Sequence, residues 1–164
     1  MKEHDLSDAR DEALATLENL IEFNLDAQRG FEESASYLID ENLKSRFEKH
    51  AAERAAFAAE LQNLEVQHGK PDGAESGTLT GALHRSWINV RSTLSTESDL
   101  AILEEAERGE DAAVAAYQKA LEPGDIPLPR SITSVLETHL LKVQAVHDEV
   151  RNLRDAAREM AKPS

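Results

Sequence analysis

Long stretches of the chain place apolar residues alternately three and four positions apart, the spacing of one face of an α-helix. The first such series begins with Leu14, Leu17 and Ile21 and continues past residue 30. The spacing predicts four long helices, over about residues 8–38, 40–68, 97–121 and 130–160, and a short helix over about residues 78–94. With 7 Gly and 5 Pro among 164 residues, the composition also favours an all-helical fold over a protein built from strands and turns.

Turn-forming residues separate the predicted helices. Gly69 followed by Pro71 ends the second helix, and Pro127 and Pro129 precede the fourth. The first two helices are joined by about two residues and must form an antiparallel hairpin. A second hairpin follows after a long connection. The sequence therefore predicts a single domain over residues 1–164, an all-α, up-down four-helix bundle whose long crossover carries the short helix, the connectivity of ferritin-like folds.

Charge and composition exclude several classes of partner. The 18 Lys and Arg against 32 Asp and Glu give a formal charge of 18 − 32 = −14, which argues against nucleic acid or an anionic membrane surface as the main partner. Without Cys there is no disulfide or thiolate metal site. No apolar run approaches about 18 residues, and the first residues are too acidic for a signal peptide, so we expect a cytoplasmic protein.

Each predicted apolar stripe is interrupted by polar residues near the middle of its helix. The interruptions are Asn24 and Gln28 in the first helix, His50 and Arg54 in the second, Glu107 and Glu110 in the third, and Gln144 and His147 in the fourth. Counting from the first hairpin turn, 39 − 24 and 54 − 39 both equal 15, so Asn24 and Arg54 face each other. The four interruptions predict a buried polar cluster at the centre of the bundle.

The charges in this cluster must balance, because carboxylates are costly to bury unless a cation, a proton or a metal neutralises them. Arg54 is the obvious neutralising group, since a guanidinium stays charged and can hold a carboxylate with two hydrogen bonds. We expect Arg54 to pair with Glu110, with Asn24, Gln144 and His147 orienting the pair.

The third and fourth helices resemble those of the ferritin-like superfamily, which includes the rubrerythrins. Gly109-Glu110 with Tyr117 matches the metal-binding Glu that is followed seven residues later by Tyr in that superfamily. Gln144-Ala-Val-His147 departs by one residue from the Glu-x-x-His of the fourth helix. The resemblance implies a ferritin-like fold, in which two metals are held by a Glu from the first and third helices and by Glu-x-x-His from the second and fourth.

The same comparison places non-ligand residues on the first two helices. Asn24 stands at the Glu position of the first helix, and Arg54 and Phe57 stand at the Glu and His positions of the second. Only Glu110 and His147 of the six implied ligands remain. A guanidinium among them would repel metal ions, so we expect no di-iron centre, no metal and no cofactor. The alternative is a metal-binding redox or metal-handling protein with a mononuclear site at Glu110 and His147, completed by Glu107 or His50.

More narrowly, the chain resembles an uncharacterised bacterial family of ferritin-like four-helix-bundle proteins of unknown function. The likeness covers about residues 12–155 and rests on Gly30-Phe31 and on residues 54–61, 82–87 and 107–117. It implies the fold and says little about activity. The sequence therefore predicts a non-catalytic, metal-free bundle with a binding or stress-related role. We expect it to form a homodimer. We also expect it to bind a protein or small-molecule partner that the sequence does not identify.

Two further expectations concern single residues. Trp87, the single Trp, is predicted to pack from the short helix against the bundle, with a contact to a partner or a second copy as the alternative. His68 and His139 are predicted to lie on the solvent side or to cap helix ends.

Overall fold

The computed structural model describes residues 3–70, Trp87 and residues 98–163, and these residues form four α-helices. They are α1 (Glu3–Tyr37), α2 (Glu41–Gln67), α3 (Asp99–Leu121) and α4 (Arg130–Ala161). The predicted all-α four-helix class is confirmed. α1 begins five residues earlier than expected, and the predicted helix over 78–94 lies, apart from Trp87, outside the described residues.

Side-chain caps fix where α2 and α3 begin. The Asp40 carboxylate accepts hydrogen bonds from the backbone N–H groups of Asn42 and Leu43, and the Ser98 hydroxyl accepts one from Ala101. These bonds satisfy N–H groups that have no partner within the first helical turn. Beyond the end of α2, Gly69 has a φ of 109°, a left-handed conformation that Gly adopts without a steric penalty.

α1 and α3 are antiparallel neighbours. Near the middle of α1, Asn24 contacts Tyr117 of α3. At the end of α1, the carboxylate of Asp99, the first residue of α3, accepts the backbone N–H groups of Ile39 and Asp40 at 2.9 and 3.0 Å. Because the residues just after α1 meet the first residue of α3, whereas the middle of α1 meets Tyr117 near the end of α3, the two helices run in opposite directions.

α2 and α4 are also antiparallel, since Arg46 contacts Glu149 whereas His68 contacts Ser131. The end of α2 and the start of α3 therefore lie at opposite ends of the bundle. The described residues on either side of the connection, 70 and 98, thus lie at opposite ends of the bundle.

The buried apolar residues form two clusters along the bundle. The cluster nearer the α1–α2 turn contains Ala27, Phe31, Ala35, Leu38, Phe47, Ala51, Trp87, Ile102, Leu103, Ala106, Val146 and Val150. The cluster nearer the α3–α4 turn contains Ala13, Leu17, Leu20, Ile21, Phe57, Ala58, Leu61, Leu64, Ala113, Tyr117, Ile132, Leu136 and Val143. On α1, α2 and α3 the boundary between them falls at Asn24, Arg54 and Glu110, all buried, which we call the polar layer. Among the described residues, no helix is long and apolar enough to cross a membrane.

Candidate functional site

An ion pair between Arg54 of α2 and Glu110 of α3 lies at the centre of the polar layer. Nη2 of Arg54 donates to Oε2 of Glu110, and the two side chains are 1% and 0% exposed. The expected pairing of these residues is therefore present. Burial raises the pKa of Glu110 above its usual range, and the positive charge of Arg54 opposes that rise.

The pair leaves hydrogen-bonding capacity unused. Within the described part of the chain, Nε and Nη1 of Arg54 and Oε1 of Glu110 have no hydrogen-bond partner. The guanidinium carbon lies 6.0 Å from the ring centre of Phe31. The two side chains are thus held together by the attraction of their charges and by a single hydrogen bond.

Trp87 packs between α1 and α3 beside the polar layer. A Cβ atom added to Gly30 would lie 2.3 Å from the Trp87 side chain, and one added to Gly109 would lie 2.4 Å from its Nε1. Its ring stands edge-on to Phe31 at 4.8 Å between centroids, and its backbone N–H donates to Asp26 at 3.4 Å. The expected packing of Trp87 against the bundle is confirmed, and two glycines on facing helices make room for it.

A second set of polar contacts begins at Asn24 in the polar layer and joins all four helices. Nδ2 of Asn24 donates to the Tyr117 hydroxyl at 2.7 Å, and that hydroxyl lies 3.0 Å from Nδ1 of His139. Nε2 of His139 lies 2.6 Å from the carboxylate of Glu60 on α2. His139 is 1% exposed, so the prediction that it lies on the solvent side is wrong.

Packing and burial set the protonation of this group. The His139 ring stacks on Phe57 at 4.0 Å between centroids. Burial lowers the pKa of His139, although hydrogen bonding to Glu60 opposes that effect. Burial also raises the pKa of Tyr117, so its hydroxyl keeps its proton. His139 is therefore held as a neutral imidazole beside a protonated phenol.

The fourth helix does not supply the residues expected in the core. His147 is only half-buried, with Nε2 2.5 Å from Asp111 and Nδ1 3.2 Å from Asp148. Burial acts to lower its pKa, but hydrogen bonds to Asp148 and Asp111 outweigh this and raise it. Gln144 is half-buried as well. Neither residue makes a described hydrogen bond to Arg54 or Glu110, and Asn24 bonds to Leu20 and Tyr117 instead, so the expected role of these three residues in orienting that pair is wrong.

Other candidates lie at the edges of the bundle. Glu107 is half-buried and pairs with Arg154 of α4 instead of entering the polar layer. His50 lies 2.5 Å from Glu149 of α4. Gln28 donates to Glu32 at 3.0 Å on the exposed side of α1.

The rotation of α4 explains the corrections to His139, Gln144 and His147. Its buried positions are Ile132, Leu136, His139, Val143, Val146 and Val150, which are spaced alternately four and three apart. The apolar spacing also allows a stripe through Leu140 and His147, on the next face of the same helix, and that stripe underlies the expectation that His147 lies in the core. The signal that could have found His139 was present, because it lies three residues after Leu136 and four before Val143.

The donor set does not fit the dimetal centre that the resemblance implies. No group of three or more His, Cys, Asp or Glu residues that could hold a metal ion occurs among the described residues. At the implied position on α2 stands a guanidinium, which repels cations and already binds Glu110. His147 is held towards Asp111 and Asp148. We therefore derive no metal chemistry from this site.

Comparison with known proteins identifies the family. No curated protein matches the sequence. A family model described as a domain of unknown function, DUF2383, matches residues 12–123. The match includes Asn24, Arg54, Glu110 and Tyr117 and ends before α4. Because it covers 112 of the 164 residues, the chain belongs to the DUF2383 family.

Proposed function

We propose that the protein is a cytoplasmic, non-catalytic member of the ferritin-like superfamily in which a buried ion pair stands in place of a metal centre, and that it acts as a homodimeric binding or stress-related protein. Two helical hairpins, and the position of the end of α2 and the start of α3 at opposite ends of the bundle, support the superfamily assignment. Fold alone does not carry the function, so the argument rests on the polar layer.

The observation that carries the proposal is the Arg54–Glu110 pair. Its two opposite charges neutralise each other at the level where the superfamily binds metal, so the layer needs no cation. Both side chains are enclosed, at 1% and 0% exposed, so neither can bind a substrate molecule directly. A binding role at the protein surface therefore fits the described residues better than catalysis within the bundle.

Elemental analysis tests the proposal. The protein is purified without chelator or a nickel column and analysed before and after loading with iron, manganese and zinc. We expect metal far below one equivalent per chain in every sample, because the Arg54 charge opposes cation binding near Glu110.

A His147→Ala variant is the matched control. Nearly one metal per chain in the wild type, lost in this variant, would overturn the proposal and establish the mononuclear site at Glu110 and His147. Equal trace metal in both proteins supports the metal-free interpretation.

A further inference from the structure

A chain of hydrogen bonds leads from the buried Tyr117 to the protein surface. Tyr117 is 0% exposed and lies 3.0 Å from Nδ1 of His139, which is itself buried. On its other side, the His139 ring meets Glu60, whose side chain is 53% exposed. The ring of one histidine thus bridges a phenol in the core and a carboxylate in solvent.

The partners fix the direction of every proton in this chain. Asn24 Nδ2 can only donate, so the Tyr117 oxygen accepts from it and has its own proton left for Nδ1 of His139. The carboxylate of Glu60 can only accept, so Nε2 of His139 carries the ring proton. Tyr117 therefore donates to His139, which donates to Glu60.

This arrangement matters for the loss of an electron from Tyr117. An oxidised phenol is strongly acidic, and a positive phenol radical would be an uncompensated charge in the core. A base already aligned with the hydroxyl removes that charge as it forms. The carboxylate of Glu60 then stabilises the imidazolium, and Arg54 and Lys142 are the positive groups that oppose it.

We propose that Tyr117 is a site of proton-coupled one-electron oxidation, with His139 as its proton acceptor. One electron passes from Tyr117 to a strong one-electron oxidant, such as an oxygen-centred radical at the surface. The phenolic O–H bond breaks as an N–H bond forms at Nδ1 of His139, leaving a neutral phenoxyl radical beside an imidazolium. Return of one electron and the same proton restores the phenol. This activity goes beyond the proposed binding function and does not depend on the Arg54–Glu110 pair.

The chain offers a matched control, because it contains two Tyr residues. Tyr37 is 57% exposed at the end of α1, whereas Tyr117 lies within the bundle. The Tyr37→Phe variant isolates Tyr117, and the Tyr117→Phe variant isolates Tyr37. Both substitutions remove only a hydroxyl group.

The test is flash photolysis with a ruthenium polypyridyl complex and persulfate, followed by electron paramagnetic resonance of the radical. Ring-deuterated tyrosine separates its signal from that of Trp87. In the Tyr37→Phe background, we expect His139→Gln to slow oxidation of Tyr117 by about 100-fold, the lower end of what a positioned base contributes to proton transfer. In the Tyr117→Phe background, the same substitution should leave oxidation of Tyr37 unchanged.

A second variant covers the case in which His139→Gln fails to fold. Glu60 is half-exposed, so Glu60→Gln keeps the fold while weakening the stabilisation of the imidazolium. It should slow oxidation of Tyr117 to a smaller degree, and oxidation of Tyr117 should be slower in D₂O. An oxidation rate of Tyr117 that is unaffected by Glu60→Gln and by D₂O, or a slowing by His139→Gln that is equal at Tyr37, would overturn the proposal.

Discussion

The bundle core carries polar groups in two regions that are stabilised in different ways. In the polar layer, Arg54 and Glu110 neutralise each other, and their described contacts do not reach solvent. In the chain from Tyr117 through His139 to Glu60, two neutral buried groups are linked by hydrogen bonds to a carboxylate at the surface. The first region balances charge, whereas the second links a buried phenol to a surface carboxylate. Burial of polar groups therefore does not by itself mark a single kind of site.

The largest expected effect comes from breaking the charge balance. Arg54→Leu leaves Glu110 buried without its partner and should lower the free energy of unfolding by about 3–5 kcal/mol. The double variant Arg54→Leu/Glu110→Leu removes both charges and should regain most of that loss. Chemical denaturation followed by circular dichroism measures both. A single variant as stable as the wild type would show that the ion pair does not hold the layer together.

A smaller effect should follow from crowding the side of the layer that Trp87 occupies. Gly109→Ala places a Cβ atom 2.4 Å from the Trp87 Nε1, so the indole must shift. Overpacking of this kind should lower the free energy of unfolding by about 1–3 kcal/mol.

Gly124→Ala is the control, because an added Cβ there meets nothing within 4 Å. Its stability should stay within about 0.5 kcal/mol of the wild type. If thermal denaturation gives equal midpoints for Gly109→Ala and Gly124→Ala, Trp87 is not packed against α3.

The smallest effect is a difference in pH dependence between two histidines of α4. Burial lowers the pKa of His139 below its ordinary 6.5, so the unfolded chain binds more protons and stability falls as pH drops below that value. The pKa of His147 is raised instead, so its stabilisation is present below pH 6.5 and is lost as pH rises through the folded-state pKa.

Thermal midpoints measured over about pH 5 to 8 separate these contributions. His139→Gln should reduce the loss of stability on the acid side, by about 1.4 kcal/mol for each unit that separates the folded and unfolded pKa values. His147→Gln should instead reduce stability at acid pH. If both variants shifted the stability at acid pH in the same direction, the opposite pKa shifts of the buried His139 and the half-buried His147 would be contradicted.

The sequence predicted the helices well because each is long and strongly periodic. The predicted 40–68, 97–121 and 130–160 agree with α2, α3 and α4 to within two residues. It also placed Arg54 opposite Glu110, because a buried carboxylate requires a nearby positive charge and Arg54 was the obvious candidate on its stripe.

It was harder to predict from the sequence which residues of α4 face the core and join the candidate site. A shift of one residue along an apolar stripe rotates a helix by about 100°, and Leu140 and Val143 fitted one stripe as well as His139 and Val143 fitted another. Pattern alone also treated Glu107 and Glu110 alike. Their difference depends on which neighbouring helix each residue faces, which only the packed bundle determines.

The position of Trp87 between Gly30 and Gly109 has a practical consequence for following assembly. As the single Trp of the chain, it gives the protein one indole fluorophore, placed where the two helical hairpins meet. Its emission reports docking of α1 against α3, whereas circular dichroism reports helix content. Whether the two signals change together on unfolding distinguishes a single cooperative transition from hairpins that separate before they unwind.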